Sequence, residues 1–181
     1  MNDQSEFTKE PSTPEELLAF HKLLRSDPQR YLQIVNGWLK DHPSDVDVYF
    51  SRHQGWMQIG EPQRALDDLN KSAELTPKPE PIFLMARARV HRKLGKYKKA
   101  LDDLNQADAL DPKAWETDVV FGLLFQADTY ARLGDEARAL ATCARLPEDF
   151  WTPGVEDAPG GNKTEVAERL RGIAAAARRQ T

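Results

Sequence analysis

Two pairs of adjacent carboxylates are the first residues in this chain whose types suggest chemistry. Asp67-Asp68 and Asp102-Asp103 belong to the residue class that shares a proton in acid–base catalysis or holds a cation. Both pairs fall in segments with a helical pattern, where neighbouring side chains point about 100° apart and cannot converge on one atom. We therefore interpret these aspartates as solvated charge on an outer helix face.

The other reactive side chains lack the spacing that catalysis or metal binding requires. Cys143 is the single cysteine, so it has no partner for a disulfide or a thiolate metal site. No glycine motif of a nucleophile elbow, a phosphate loop or a dinucleotide site is present. None of the histidines has an i+4 histidine partner or a neighbouring cysteine; they are His21, His42, His53 and His91. We predict a protein without enzymatic activity, cofactor or metal.

Composition and charge exclude several classes of partner. Of the 181 residues, 40% are hydrophobic and 30% are charged, with a formal net charge of −4, so we expect one α-helical domain. The acidic balance gives no electrostatic reason to bind nucleic acid or anionic lipid. There is no run of about 18 apolar residues and no apolar stretch near the N-terminus. We expect a cytoplasmic protein that binds neither nucleic acid nor membrane.

An internal repeat defines the elements that position these residues. The hexapeptide at residues 65–70 recurs letter for letter at residues 100–105, a shift of 35 residues. The same shift relates three further pairs, which are Gly60 with Gly95, Leu75 with Leu110 and Pro77 with Pro112. A period of this length is typical of an array of small stacked helical units.

Helix start and stop signals divide the array into four helical hairpins. Thr13-Pro14 and Asp27-Pro28 each place a capping residue before a proline, and Gly134 marks a later turn. We predict a disordered tail at 1–11, followed by hairpins at 12–45, 46–79, 81–113 and 118–147.

The C-terminal part has a different pattern. Residues 148–162 are rich in glycine and proline, which predicts a long loop with Phe150 and Trp151 as anchors on the core; the alternative is that these two aromatic residues form a binding site. Residues 163–181 carry an apolar stripe that includes Val166 and Leu170. This helix would cover the open end of the array, whose last repeat otherwise exposes an apolar face; the alternative is a detachable docking helix.

The chain resembles tetratricopeptide-repeat proteins, whose unit is an antiparallel pair of helices. Small residues stand where the two helices of a unit touch; they are Ala19, Ala88 and Ala127 in first helices and Ala65, Ala100 and Ala139 in second helices. Large apolar positions of the family hold Tyr49, Trp56, Leu84, Leu123 and Tyr130. The resemblance implies an all-α, right-handed α-solenoid of about four helix hairpins plus a C-terminal capping helix.

Several residues depart from the family pattern. Tyr31 and His53 stand at positions that usually hold small side chains, and His91 replaces the usual aromatic residue. A position that is more often leucine holds Arg52, Arg87 and Gln126. We expect the local packing to differ at these places.

In this family the first helices of successive units line a concave groove. The positions that line it correspond to Phe20, Phe50, Gln54, Met57, Met85, Arg89, Arg92, Lys93, Phe121, Leu124 and Asp128. The resemblance therefore implies an apolar groove with a cationic cluster, suited to a partner protein or peptide with acidic and apolar residues. The alternative is that the apolar members fill gaps between units. An exposed apolar groove also permits a homodimer.

The function that the resemblance implies is a non-enzymatic protein–protein interaction module, acting as an adaptor or assembly factor. An alternative is a dedicated chaperone, or an immunity or inhibitor protein, that masks one partner. RNA binding is a third hypothesis, since pentatricopeptide repeats share a similar period. The acidic charge and the short array count against RNA binding.

Overall fold

Capping side chains and prolines set where the helices begin. Thr13 and Glu16 form a capping box at the first helix, in which Thr13 Oγ1 accepts from the Glu16 N–H at 3.2 Å and the Glu16 carboxylate accepts from the Thr13 N–H at 3.1 Å. Asp27 caps the second helix by accepting from the Arg30 N–H at 3.0 Å. Proline opens both helices, where its missing N–H would have had no helical partner.

The computed structural model describes residues 7, 10–111 and 120–180. The helices in that part are α1 (Pro14–Ser26), α2 (Pro28–Asp41), α3 (Val46–Gln58), α4 (Pro62–Leu75), α5 (Pro81–Lys93), α6 (Tyr97–Leu110), α7 (Val120–Arg132), α8 (Glu136–Ala144) and α9 (Lys163–Arg178). Most of the predicted tail at 1–11 and the predicted start of the fourth hairpin at 118 lie outside the described residues. The predicted all-α class of consecutive helix hairpins is confirmed.

A short strand pair interrupts the segment that the sequence predicted as a plain loop. Strand β1 (Trp151–Thr152) pairs antiparallel with β2 (Gly161–Asn162), so the two ends of this loop are held together. Sequence patterns do not detect strands of two residues, because no alternation of side chains can develop over that length.

The chain divides into two compact units, where the composition led us to expect one domain. Unit 1 covers Met1–Pro79 and unit 2 covers Glu80–Thr181. Each unit has its own cluster of buried apolar side chains, one around Phe20 and Tyr31 and the other around Leu104 and Leu123.

Unit 1 has an aromatic core that accommodates the unusual Tyr31. The Phe20 ring stacks on the Tyr31 ring with 4.4 Å between centroids, and it lies 5.0 Å from the Trp38 ring. Space for Tyr31 comes from Gly55 on α3, where an added Cβ would lie 2.6 Å from the Leu32 side chain and 3.1 Å from that of Tyr31. The small residue that the family pattern places on α2 is thus replaced by a glycine on the helix that packs against it.

Unit 2 contains two hairpins whose helices meet at fully buried alanines. Ala88 and Ala100 lie in the α5–α6 hairpin, and Ala127 and Ala139 lie in the α7–α8 hairpin; none of the four is accessible to solvent. Gly95 ends α5 with φ +68°, a backbone conformation that favours glycine and reverses the chain into α6. Close helix packing in this unit therefore depends on small side chains.

Helix α9 packs against α7 and α8 and completes the core of unit 2. Its residues Val166, Leu170 and Ala174 are fully buried. The loop before it is anchored by Phe150, which is buried, whereas Trp151 keeps 66% of its surface exposed. The predicted apolar stripe thus faces the last hairpin, and only one of the two aromatic residues acts as an anchor.

Substitution of Ala100 by leucine should destabilise the protein by about 1–3 kcal/mol, because the added atoms have no space at the helix contact. Ala109→Leu on the same helix is the matched control, since Ala109 is exposed. Urea denaturation of both variants measures the effect. Equal stability of the two variants would contradict the assigned helix contact.

Candidate partner-binding surfaces

A repeated ion pair explains the arginines at the position that is usually leucine. In the α3–α4 hairpin, Arg52 Nε donates to Asp68 Oδ2 at 2.9 Å and Nη2 donates to Oδ1 at 2.6 Å. In the α5–α6 hairpin, Arg87 makes the same two bonds to Asp103, at 2.9 and 2.6 Å. Each guanidinium thus holds one carboxylate in a two-pronged contact, the strongest geometry for this pair of groups.

The prediction that both aspartate pairs are solvated is therefore wrong for one member of each pair. Asp68 and Asp103 are buried, with 4% and 5% of their surface accessible, whereas Asp67 and Asp102 are exposed. The inner aspartate joins the two helices of a hairpin. Asp68 and Asp103 therefore have a structural role.

Three of the four predicted groove residues of unit 1 meet at a pocket. Phe20, Phe50 and Gln54 line a pocket of about 290 Å³. The remaining lining residues are Glu10, Pro11, Leu17, His21, Tyr31, Trp38, Asp47 and Ser51. Met57, also predicted for the groove, is not part of this lining.

The pocket walls are aromatic and well supported. Phe50 is held by His53, whose ring lies 4.6 Å from the Phe50 ring and whose Nδ1 hydrogen-bonds to the Phe50 carbonyl. The Tyr31 hydroxyl donates to the Ser51 carbonyl at 3.0 Å, and burial raises the pKa of Tyr31 to about 12. The indole Nε1 of Trp38 is buried and has no acceptor among the described residues.

Negative charge collects beside the pocket. Desolvation raises the pKa of the Glu10 carboxyl, and the charges of Asp45 and Asp47 raise it further. Glu10 and Asp47 are exposed and have no ion pair in the described part of the chain. This side of unit 1 therefore favours a cation.

The arginines of the predicted cationic cluster in unit 2 form ion pairs with acidic residues of the protein's own loop. Arg89 forms an ion pair with Glu156, with Nε donating to Oε1 at 2.8 Å. Arg92 Nη2 donates to Asp157 Oδ1 at 2.6 Å and also lies 2.8 Å from Asp128 Oδ2. These two arginines, predicted to meet an acidic partner, already hold acidic residues of the same chain.

Three of the predicted groove residues in unit 2 lie inside the protein. Arg92 keeps only 2% of its surface accessible, and Leu124 and Asp128 are fully buried. We correct their role: Leu124 is part of the apolar core, and Asp128 neutralises Arg92 and Arg132. The sequence could not separate these residues from surface ones, because the loop and the helices that cover them lie far away along the chain.

The other predicted residues of unit 2 remain nearer the surface. Lys93 and Phe121 are exposed, with Phe121 at 42%. Met85 is half-buried against the core. Ile82, on α5, is the most exposed apolar residue of that helix at 57%.

The described residues contain no group of three histidine, cysteine or carboxylate side chains placed to hold a metal ion. Cys143 is buried and its Sγ lies 3.7 Å from the Lys163 carbonyl oxygen; burial raises the pKa of its thiol. Nor does any helix in residues 7, 10–111 and 120–180 have the length and apolarity to cross a membrane.

Comparison with known proteins agrees with the helix hairpins. Residues 83–114 match the tetratricopeptide repeat family, and the similar solved structures have tetratricopeptide folds. The chain therefore contains a tetratricopeptide repeat and has the fold of tetratricopeptide-repeat structures. No curated protein matches it in sequence.

Three solved structures illustrate the similarity. YrrB, described as a tetratricopeptide protein with an unusual peptide-binding site, is 20% identical with a TM-score of 0.64, over 90% of this chain and 73% of its own. A crystal structure of MamA is 15% identical with a TM-score of 0.65, over 94% of both chains. TTC0263, a thermophilic tetratricopeptide protein of Thermus thermophilus, is 20% identical with a TM-score of 0.53, over 90% of this chain and 88% of its own.

Replacing Asp103 with asparagine should destabilise the protein by about 1–3 kcal/mol, because Arg87 then loses its carboxylate partner. The neighbouring Asp102 provides the matched control, since Asp102→Asn changes an exposed side chain and should shift stability by less than about 0.5 kcal/mol. Thermal or urea unfolding measures both. If Asp102→Asn lowers the stability as much as Asp103→Asn does, loss of the ion pair is not the cause of the destabilisation.

His91 should make stability depend on pH. Burial lowers the pKa of His91 below its usual 6.5, and the nearby Arg87 charge lowers it further, although Asp103 acts in the opposite direction. The unfolded chain therefore binds a proton more readily than the folded protein, so stability should fall as the pH drops from about 7.5 to below 6.5.

The variant His91→Tyr removes this titration, so its melting temperature should fall less than that of the wild type over the same pH range. His21→Tyr, at an exposed histidine, is the control. If the melting temperatures of the wild type and of His91→Tyr fall equally as the pH drops, His91 is not the cause of the pH dependence.

Proposed function

We propose that the chain is a non-enzymatic module that binds a peptide segment of a partner protein in the aromatic pocket of unit 1, serving as an adaptor or assembly factor. The pocket lined by Phe20, Phe50 and Gln54 is the observation that carries this proposal. These three lining residues are among the positions that the resemblance to tetratricopeptide-repeat proteins assigns to a peptide groove. The similar fold of YrrB, a protein with a peptide-binding site, supports the proposal.

The size of the pocket suits a side chain and not a whole small molecule. Its volume of about 290 Å³ is at the lower limit of about 300 Å³ for ligand pockets. Aromatic walls favour an apolar side chain, which gains burial without needing hydrogen bonds. The anchor of the bound peptide should therefore be one aliphatic or aromatic residue.

The charges beside the pocket select the residue next to that anchor. Glu10 and Asp47 are exposed carboxylates on the lining, and neither forms an ion pair with a described residue, although His42 acts to lower the pKa of Glu10. A lysine or arginine beside the apolar anchor would meet both charges. The preferred partner of unit 1 is therefore apolar and basic, which differs from the acidic partner inferred from the sequence.

Selection of random displayed peptides on the immobilised protein tests this proposal. We expect the wild type to enrich sequences with a large apolar residue beside lysine or arginine. Asp47→Lys should remove the preference for basic residues, because it reverses the charge beside the pocket. Gln54→Trp should reduce enrichment of every sequence, because the larger side chain fills the pocket.

The matched control is Asp67→Lys, which makes the same charge reversal at an exposed aspartate outside the pocket. It should select the same peptides as the wild type. Circular dichroism melting curves establish that all three variants are folded. Identical peptide sets from wild type, Asp47→Lys and Gln54→Trp would place peptide binding elsewhere or exclude it.

A further inference from the structure

The loop between β1 and β2 presents two adjacent acidic residues to three arginines of unit 2. Glu156 pairs with Arg89, and Asp157 pairs with Arg92. Arg132 reaches the same loop, with Nη2 donating to the Asp157 carbonyl at 2.7 Å. We call residues 153–159 the acidic tip.

The charges in this contact balance only while the acidic tip is bound. Three guanidiniums face three carboxylates, which belong to Asp128, Glu156 and Asp157. Two of the three carboxylates are on the tip. Removing the tip would leave the faces of α5 and α7 with two uncompensated positive charges, a strong attraction for another acidic segment.

The two ends of the tip are fixed independently, by the β1–β2 pair and by Phe150 in the core. Within the tip, Ala158 is buried in the core of unit 2 and Val155 packs against that core, so displacement must also free these two apolar contacts. Arg92 would keep Asp128 and a hydrogen bond to Thr129 Oγ1 at 2.8 Å, both from α7. The ion pair that Asp128 forms with Arg132, at 2.6 Å, also lies outside the tip.

The contact made by the tip is incomplete. Glu156 has φ +56°, in the left-handed region that residues other than glycine rarely adopt. Arg92 Nε and Asp128 Oδ1 are buried and have no hydrogen-bond partner among the described residues. A free segment, not constrained by the strand pair, can present its acids without this strained turn.

An external ligand also has apolar surface to bind that the tip leaves exposed. Ile82 lies seven residues before Arg89 on α5, which is two helical turns along the same face. Phe121 has the same spacing to Asp128 on α7. With 57% and 42% of their surfaces exposed, Ile82 and Phe121 offer contacts to a segment longer than the tip.

We propose that the acidic tip is a tethered ligand that masks the arginine face of unit 2, and that an extended partner segment with adjacent acidic residues and a flanking apolar residue displaces it. This masking is separate from peptide binding in the pocket of unit 1, and either proposal can be correct without the other. Tethering gives the tip an effective concentration on the order of millimolar. The masked face therefore binds external peptides far more weakly than the unmasked one.

The test uses a fluorescein-labelled synthetic peptide with the chain's own sequence over residues 150–161, measured by anisotropy against the full-length protein. The variant Glu156→Gln/Asp157→Asn unmasks the arginine face with side chains of the same shape. We expect it to bind the peptide at least about tenfold more tightly than the wild type. Adding Arg89→Gln to the unmasked variant should reverse this gain in peptide affinity.

Two matched controls separate the contact from general charge effects. Glu148→Gln/Asp149→Asn neutralises the other Glu-Asp pair near this loop, whose Glu148 pairs with Lys163 and not with the arginines; it should bind as weakly as the wild type. A peptide with glutamine and asparagine in place of its acids should bind none of the proteins. Melting curves establish that each variant is folded.

Hydrogen exchange on the wild type tests displacement without any substitution. A saturating concentration of the acidic peptide should accelerate exchange of the amides at residues 154–158. Equal peptide affinity of wild type and unmasked variant, no binding to the unmasked variant, or unchanged exchange at saturation would each overturn the proposal. None of these results involves the pocket of unit 1, so they leave the peptide selection experiment unaffected.

Discussion

The close approach of paired helices at alanine is the constraint on which the repeated hairpins depend. Ala65 and Ala100 are fully buried, and a larger side chain at either position would hold the axes of the paired helices further apart. The same approach brings an arginine of the first helix within reach of an aspartate of the second, 16 residues on, as in Arg87 and Asp103. Packing and the ion pair thus reinforce each other.

The buried aspartates and the buried arginine of the described residues all form ion pairs; these residues are Asp68, Arg92, Asp103 and Asp128. An unpaired charge in a protein interior is costly, so Arg92 is surrounded by Asp128 and Asp157. Glu10 and Asp47 are exposed and form no ion pair with another described residue. Exposed acids therefore line the pocket of unit 1, whereas Arg89 and Arg92 of unit 2 are neutralised by the loop of the same unit.

The loop before α9 links the C-terminal helix to the arginine face. One part of this loop is structural, since Phe150 is buried and β1 pairs with β2. The remaining part pairs with arginines through Glu156 and Asp157, with Glu156 in a left-handed conformation, and adds apolar contacts of Val155 and Ala158 to the core. Screening by salt and competition by an acidic ligand weaken the ion pairs directly but do not weaken the apolar contacts, so the two kinds of contact differ in what can release them.

The sequence by itself determined the hairpins, the alanine contacts and the terminal helix stripe, because spacing, capping and side-chain size act over a few residues and repeat along the chain. It left open which charges meet. Arg92 and Asp157 lie 65 residues apart, and their contact exists only because the loop folds back onto α5 and α7. Likewise Tyr31 fits because Gly55, on another helix, leaves room for it. Only the tertiary structure decided these pairs, since separation along the chain does not specify approach in space.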